Sequence, residues 1–195
     1  MHQKLPWALI GLLALTLSLI ACGTGKRNEG RNEGLAELQR VQSAVHEMSV
    51  VVTVGANQPE FSRRLTDVLL KIGDIQQSEQ QCTAKFPKNE RQDVEDIYLH
   101  LAHALDAYQQ SKDFFGDVHK EQLDPFDGDY LFGQKRYDAL QESFPGLQKL
   151  EVAVNYPEDL GGTKYWKGDM LQALWKYAGN EEQEAKGLIG RLPQK

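Results

Sequence analysis

The chain has 195 residues and a mass of 22.0 kDa, is 41% hydrophobic and 26% charged, and carries 22 basic against 28 acidic side chains. A net charge of −6 leaves no basic surplus to displace counterions from a phosphate backbone, which argues against nucleic acid as a partner. Two cysteines cannot build a disulfide-rich scaffold, so the composition describes one globular domain with attachments.

After Lys4 comes an uncharged, largely apolar stretch of 17 residues, Leu5 to Ala21. Roughly 20 apolar residues cross a bilayer, so this stretch reads either as a permanent anchor or as a targeting segment. The residues at its end favour the second reading, because Leu19-Ile20-Ala21-Cys22 resembles the lipobox of bacterial lipoproteins. That resemblance implies a diacylglyceryl group on the Cys22 sulfur, cleavage after Ala21 and a mature chain that begins at Cys22. Gly23 stands where an aspartate would imply retention in the inner membrane, so the resemblance implies the outer membrane of a Gram-negative envelope. Each buried methylene contributes about 0.8 kcal/mol, and two or three acyl chains make attachment effectively permanent.

The segment Gly23 to Gly34 holds four glycines and five charges, including a tandem Arg-Asn-Glu-Gly. With no apolar side chain to bury, it predicts a disordered tether spanning ~20 Å. The expected organisation is therefore a signal peptide over 1–21, a lipidated cysteine and flexible tether over 22–34, and one helical domain over 35–195. Removal of Lys4 with the leader leaves 21 basic against 28 acidic residues, a net of −7. A body of that charge is not drawn to an anionic lipid surface.

Within the domain, Leu35, Leu38, Val41, Val45, Met48 and Val52 form one helical stripe that stops at Gly55, a natural residue after a helix end. A strand is the rival reading for Val50 to Val54, with Leu150, Val152 and Val154 as an alternating partner, but the upstream periodicity continues into the run without a turn. Asn57-Gln58-Pro59-Glu60 starts a second helix whose stripe is Phe61, Leu65, Val68, Leu69, Ile72 and Ile75, and the short connection predicts an antiparallel hairpin. Asn89 and Gln92 resemble a capping box before a third helix with Val94, Ile97, Tyr98, Leu101, Leu105 and Tyr108 on one side. Between it and the last helix, Gly116 to Gly162 is irregular and rich in turn formers, interrupted by a helix from about Gln134 to Ser143. The last helix is expected from near Thr163, through Trp166, Met170, Leu171, Leu174 and Trp175. At Gly179-Asn180 a capping pattern coincides with two glutamates where the stripe needs apolar residues, which predicts a break before Leu188. The fold class is all-α, an antiparallel four-helix bundle with a long aromatic-rich elaboration between the third and last helices. The mature part also loosely resembles uncharacterised helical envelope lipoproteins, a resemblance that implies no activity.

Asp96, His100 and His103 fall within about 60° on the polar side of the third helix, a spacing at which two imidazoles and a carboxylate reach one divalent ion. Solvated surface histidines are the simpler account of them, since no fourth ligand is identifiable. Asp124, Asp127 and Asp129 beside Gly128 miss the calcium-loop spacing and read as an acidic turn. Fourteen of the 17 aromatic residues lie from Tyr98 onward. Phe126, Tyr130, Phe132 and Tyr137 are either the lining of a recognition groove or a staple that holds the irregular span to the bundle. Cys82 is the one thiol left after lipid attachment, expected to be buried or paired with another chain.

No Gly-x-Ser-x-Gly, phosphate loop or haem-attachment motif occurs, so the sequence suggests no enzyme and no cofactor. The reading is a lipid-anchored cell-envelope protein, held to the membrane through Cys22, whose body is a binding or adaptor module for another envelope protein. The alternative is a carrier for a small apolar or metal ligand held within the bundle.

Overall fold

A computed structural model of the chain describes residues 8–115, 131–158 and 161–193, with side chains from residue 28 onward. Helix α1 spans Ala8–Thr53, α2 Gln58–Ile72, α3 Ile75–Thr83 and α4 Arg91–Ser111. Strand β1 (Leu131–Gly133) leads into α5 (Gln134–Ser143), and β2 (Val154–Asn155) and β3 (Thr163–Trp166) precede α6 (Lys167–Arg191). Among the described residues no helix is long and apolar enough to cross a membrane.

The chain is mostly helical, and its helices follow the apolar stripes. Leu38, Val41, Val45 and Met48 of α1 are fully buried, as are Val94, Ile97 and Leu101 of α4. Helix α1 packs against α2, α4 and α6, and α4 lies along α6. The first helix closes with Gly55 at φ 79°, its N–H donating to Val52 and that of Ala56 to Val51, which satisfies carbonyls a helix end leaves open. Asn57 then caps α2 by accepting from the Glu60 N–H at 3.0 Å. Lys71, at the far end of α2, meets Glu47 of α1 at 2.6 Å, and Arg40 donates to the Lys71 carbonyl, as an antiparallel hairpin requires.

Six expectations are corrected. The glycine-rich segment is helical rather than a disordered tether, and Arg31 and Gly34 within it pack on the body. Arg31, the second arginine of the tandem repeat, is buried; its Nε donates to Glu90 Oε2 at 2.8 Å and its Nη2 to the Pro193 carbonyl at 2.6 Å. Its guanidinium also sits 5.7 Å from the centre of the Phe86 ring. Gly34 makes this packing possible, because a Cβ there would stand 2.5 Å from that ring. An amphipathic pattern is not needed when one arginine and one bare backbone face supply the contacts.

The second helix stops at Ile72, not Ile75, because Gly73 takes φ 70° and Asp74 starts α3 by capping Gln76 and Gln77. The Asn89–Gln92 box does not form, since α4 starts at Arg91 after a turn whose Glu90 carboxylate is committed to Arg31. The all-α expectation omits a small antiparallel sheet, ordered β1-β3-β2, in which Phe132 pairs with Tyr165 and Val154 with Lys164. The partner of Val154 is therefore β3, not the valine run of α1, and Thr163 to Trp166 is strand rather than the start of the last helix. Finally, α6 runs unbroken through Gly179-Asn180.

Removing one partner of a buried ion pair leaves an uncompensated charge, at a cost of about 3–5 kcal/mol. Glu90→Ala is expected to lower unfolding stability by that order in a urea titration, whereas Arg31→Met combined with Glu90→Leu recovers most of the loss. Equal stability of Glu90→Ala and the parent chain is the contrary result.

Candidate functional site

The polar residues of the body converge where α1, α4 and α6 meet. Glu182, in the middle of α6, has a side chain only 1% exposed, and its Oε1 lies 2.6 Å from His46 Nδ1 of α1. Its Oε2 is buried with no hydrogen-bond partner. The neighbouring Glu181 places Oε2 2.7 Å from His100 Nδ1 and 3.4 Å from His103 Nδ1, both on α4. The two glutamates that break the apolar stripe of α6 therefore face histidines of two other helices. This explains the unbroken helix: the acids are paired across the interface and have no need to reach solvent through a kink. The phenols around them are held protonated. Burial, followed by the Glu181 carboxylate one turn away, pushes Tyr177 up to about 12. Burial and the Glu182 charge push the Tyr108 phenol up as well.

The histidines of the expected metal triad are thus close to each other, but Asp96 does not join them. It accepts from Gln92 at 2.9 Å on its own helix, while the carboxylate at the histidines is Glu181. Among the described residues no group of three or more His, Cys, Asp or Glu side chains has the geometry to hold a metal ion. What the cluster does is chemically simpler. One carboxylate bridges two imidazoles and a second covers a third, which ties α6 to α4 and to α1.

The aromatic candidates separate in the same way. Phe126 and Tyr130 lie outside the described residues, as do Asp124, Asp127 and Asp129. Phe132 is 7% exposed and wedged between Phe114, at 5.1 Å with rings nearly perpendicular, and Tyr165, at 5.7 Å. It is a core residue that fastens β1 to the turn following α4, which is the staple of the two readings the sequence left open and not the groove lining. Tyr137 is half-buried and stacks on Tyr165 with ring centres 4.1 Å apart, and its hydroxyl accepts from the Leu150 N–H at 3.2 Å. Offset and perpendicular ring pairs of this kind contribute about 0.5–1.5 kcal/mol each beyond the area they bury.

Cys82 is a free, buried thiol whose Sγ lies 3.3 Å from the Gly34 carbonyl, and burial pushes its pKa up, away from the reactive thiolate. Cys22 falls within α1. Arg31, Glu90, Glu181 and Glu182 also form these polar contacts, and no sequence motif marks them. For the glutamates the signal was present, two acids on an apolar stripe, but the histidines that answer them are remote in the chain.

No family model matches the chain, and no curated protein and no solved structure is significantly similar to it.

Truncating a buried phenylalanine to alanine costs about 3–5 kcal/mol. Phe132→Ala is expected to destabilise the fold by that order, read as a lower urea midpoint. An unchanged midpoint would favour the groove-lining alternative for Phe132.

Proposed function

We propose that this chain is a lipid-anchored cell-envelope protein whose helical body is a binding or adaptor module for another envelope protein, with α1, α2, α4 and α6 as the four helices of an antiparallel bundle. The observation that carries the proposal is Leu19-Ile20-Ala21-Cys22 at the end of an uncharged apolar stretch. Lipid on Cys22 is the attachment, and Gly23 directs the protein to the outer membrane. The histidine–glutamate pairs serve the body as interhelical ties, so they assign no catalytic step. The carrier reading draws no support from the aromatic residues, since the described rings fill the space between elements by packing on one another.

With Phe132 buried, partner contact falls to the apolar side chains that stay exposed. Leu99 of α4 and Val152 beside β2 are each 52% exposed, and Leu70 of α2 is 77% exposed.

In cells fed labelled palmitate, the parent chain is expected to take up label and lose its leader, whereas Cys22→Ala stays unlabelled at precursor size. Label on Cys22→Ala overturns the anchor. In the same cells, a photoreactive residue at Leu99 is expected to give an adduct with an envelope protein; the absence of adducts from Leu99, Val152 and Leu70 alike counts against the adaptor.

A further inference from the structure

The turn between α3 and α4 forms one wall of a surface cavity of about 500 Å³, with Gly30 of α1 on the other side. Three cations line it, Lys85, Lys88 and Arg91, together with the Phe86 ring, and no acid does. That concentration stands against a mature chain of net −7, and it arises from pairing. Glu90, in the same turn, is committed to Arg31 at 2.8 Å, so its charge is spent inside the fold. Glu33 approaches Lys85 at only 3.4 Å and is 68% exposed, where solvent screens most of the attraction. Arg91 is held in place by its Nε donating to the Phe86 carbonyl at 3.1 Å, and exposed Lys88 has no partner among the described residues. The cavity is thus an open recess lined by three cations, with room for an anionic group.

Its position decides which anion. Cys22 and Gly30 lie on the same helix, α1, eight residues apart. At 1.5 Å per residue that is about 12 Å of helix axis. A headgroup layer is roughly 5–7 Å deep and the Debye length is about 8 Å, so extended lysine and arginine side chains at that height act on the phosphates of the anchoring leaflet. The other end of α1 near Val54 stands a further ~36 Å along the axis, out of reach. Free phosphate would satisfy the same cations, but nothing would call for the seat to lie at the anchored end.

We propose that the Lys85–Lys88–Arg91 pocket docks on anionic, phosphate-bearing lipid headgroups of the membrane that holds Cys22, fixing how the body stands on that surface. The proposal rests on the lipid anchor proposed above. It also revises the expectation drawn from net charge, because lipid attraction is set by the charges within a Debye length of the surface and not by the sum over the chain.

The test uses the full mature lipidated protein in vesicles of phosphatidylcholine alone and in vesicles with one quarter phosphatidylglycerol. Amide hydrogen exchange is followed over 84–91, with 50–56 as the remote control. Each basic side chain at an anionic surface is worth about fivefold in association. Exchange over 84–91 is therefore expected to slow at least about fivefold in the anionic vesicles, with 50–56 unchanged. Lys85→Gln/Lys88→Gln/Arg91→Gln is expected to abolish the slowing; if that variant loses helicity, the solvent-exposed Lys88→Gln alone is expected to weaken it. Equal exchange in the two vesicle types, on a chain shown by mass spectrometry to carry fatty acid at Cys22, overturns the docking and leaves the anchor standing. A Cys22 without fatty acid overturns both. The same protection from inorganic phosphate in phosphatidylcholine vesicles makes the pocket a free-phosphate site and overturns the lipid assignment.

Discussion

The pairing of Arg31 with Glu90 sets the limits of the folded body. A helix through a segment with four glycines loses up to about 1 kcal/mol at each of them relative to alanine, and no apolar stripe is present to compensate. Arg31 compensates from one position. Its guanidinium satisfies a buried carboxylate in the α3–α4 turn, lies near the Phe86 ring and donates to the Pro193 carbonyl at the end of the chain. Three stretches that are far apart in sequence are thereby held at one end of the molecule. The remaining glycine at the contact, Gly34, is an asset there because the ring of Phe86 occupies the space of its missing side chain.

A second polar contact repeats the logic at the centre. Glu181 and Glu182 would be liabilities on the inner side of α6 if they stood alone, since a buried unpaired carboxylate is far costlier than a buried pair. Facing His46, His100 and His103, they become position markers. Apolar side chains tolerate a helix sliding by a turn, whereas a carboxylate that must meet an imidazole does not. The body therefore combines a permissive apolar core with two sets of exacting polar contacts, one at the α3–α4 end and one midway along α6.

This division explains what could be read from the sequence. Gly55, Asn57 with Pro59, the stripes of α1 and α4, and the helix from Gln134 to Ser143 are local patterns, and each element formed where its pattern lies. The strands are two to four residues long, too short for alternation to register, and β1 finds its partner across more than thirty residues. The ion pairs are more remote still, 59 positions for Arg31 and Glu90 and 136 for His46 and Glu182. Each half of these pairs stands alone in its own stretch of the chain. An isolated arginine among glycines reads as solvated, and isolated glutamates on a stripe read as a helix break. Phe132 stayed open between a recognition residue and a staple for the same reason, because the rings that enclose it, Phe114 and Tyr165, lie on other elements.

The ion pairs also govern the charge seen from outside. Net charge treats all 28 acidic side chains alike, yet Glu90 is hidden in a pair and Glu181 and Glu182 are turned inward against histidines. An acid consumed in the interior no longer cancels the cations beside it in the sequence. At the α3–α4 turn this leaves Lys85, Lys88 and Arg91 without an acid among the residues that line their cavity, on a chain whose total is negative. The same arginine that packs the glycine-rich part of α1 on the body thus removes from the turn the carboxylate of Glu90, leaving only the exposed Glu33 near Lys85. Folding the glycine-rich segment and exposing a cationic surface at the α3–α4 turn are two results of a single pairing.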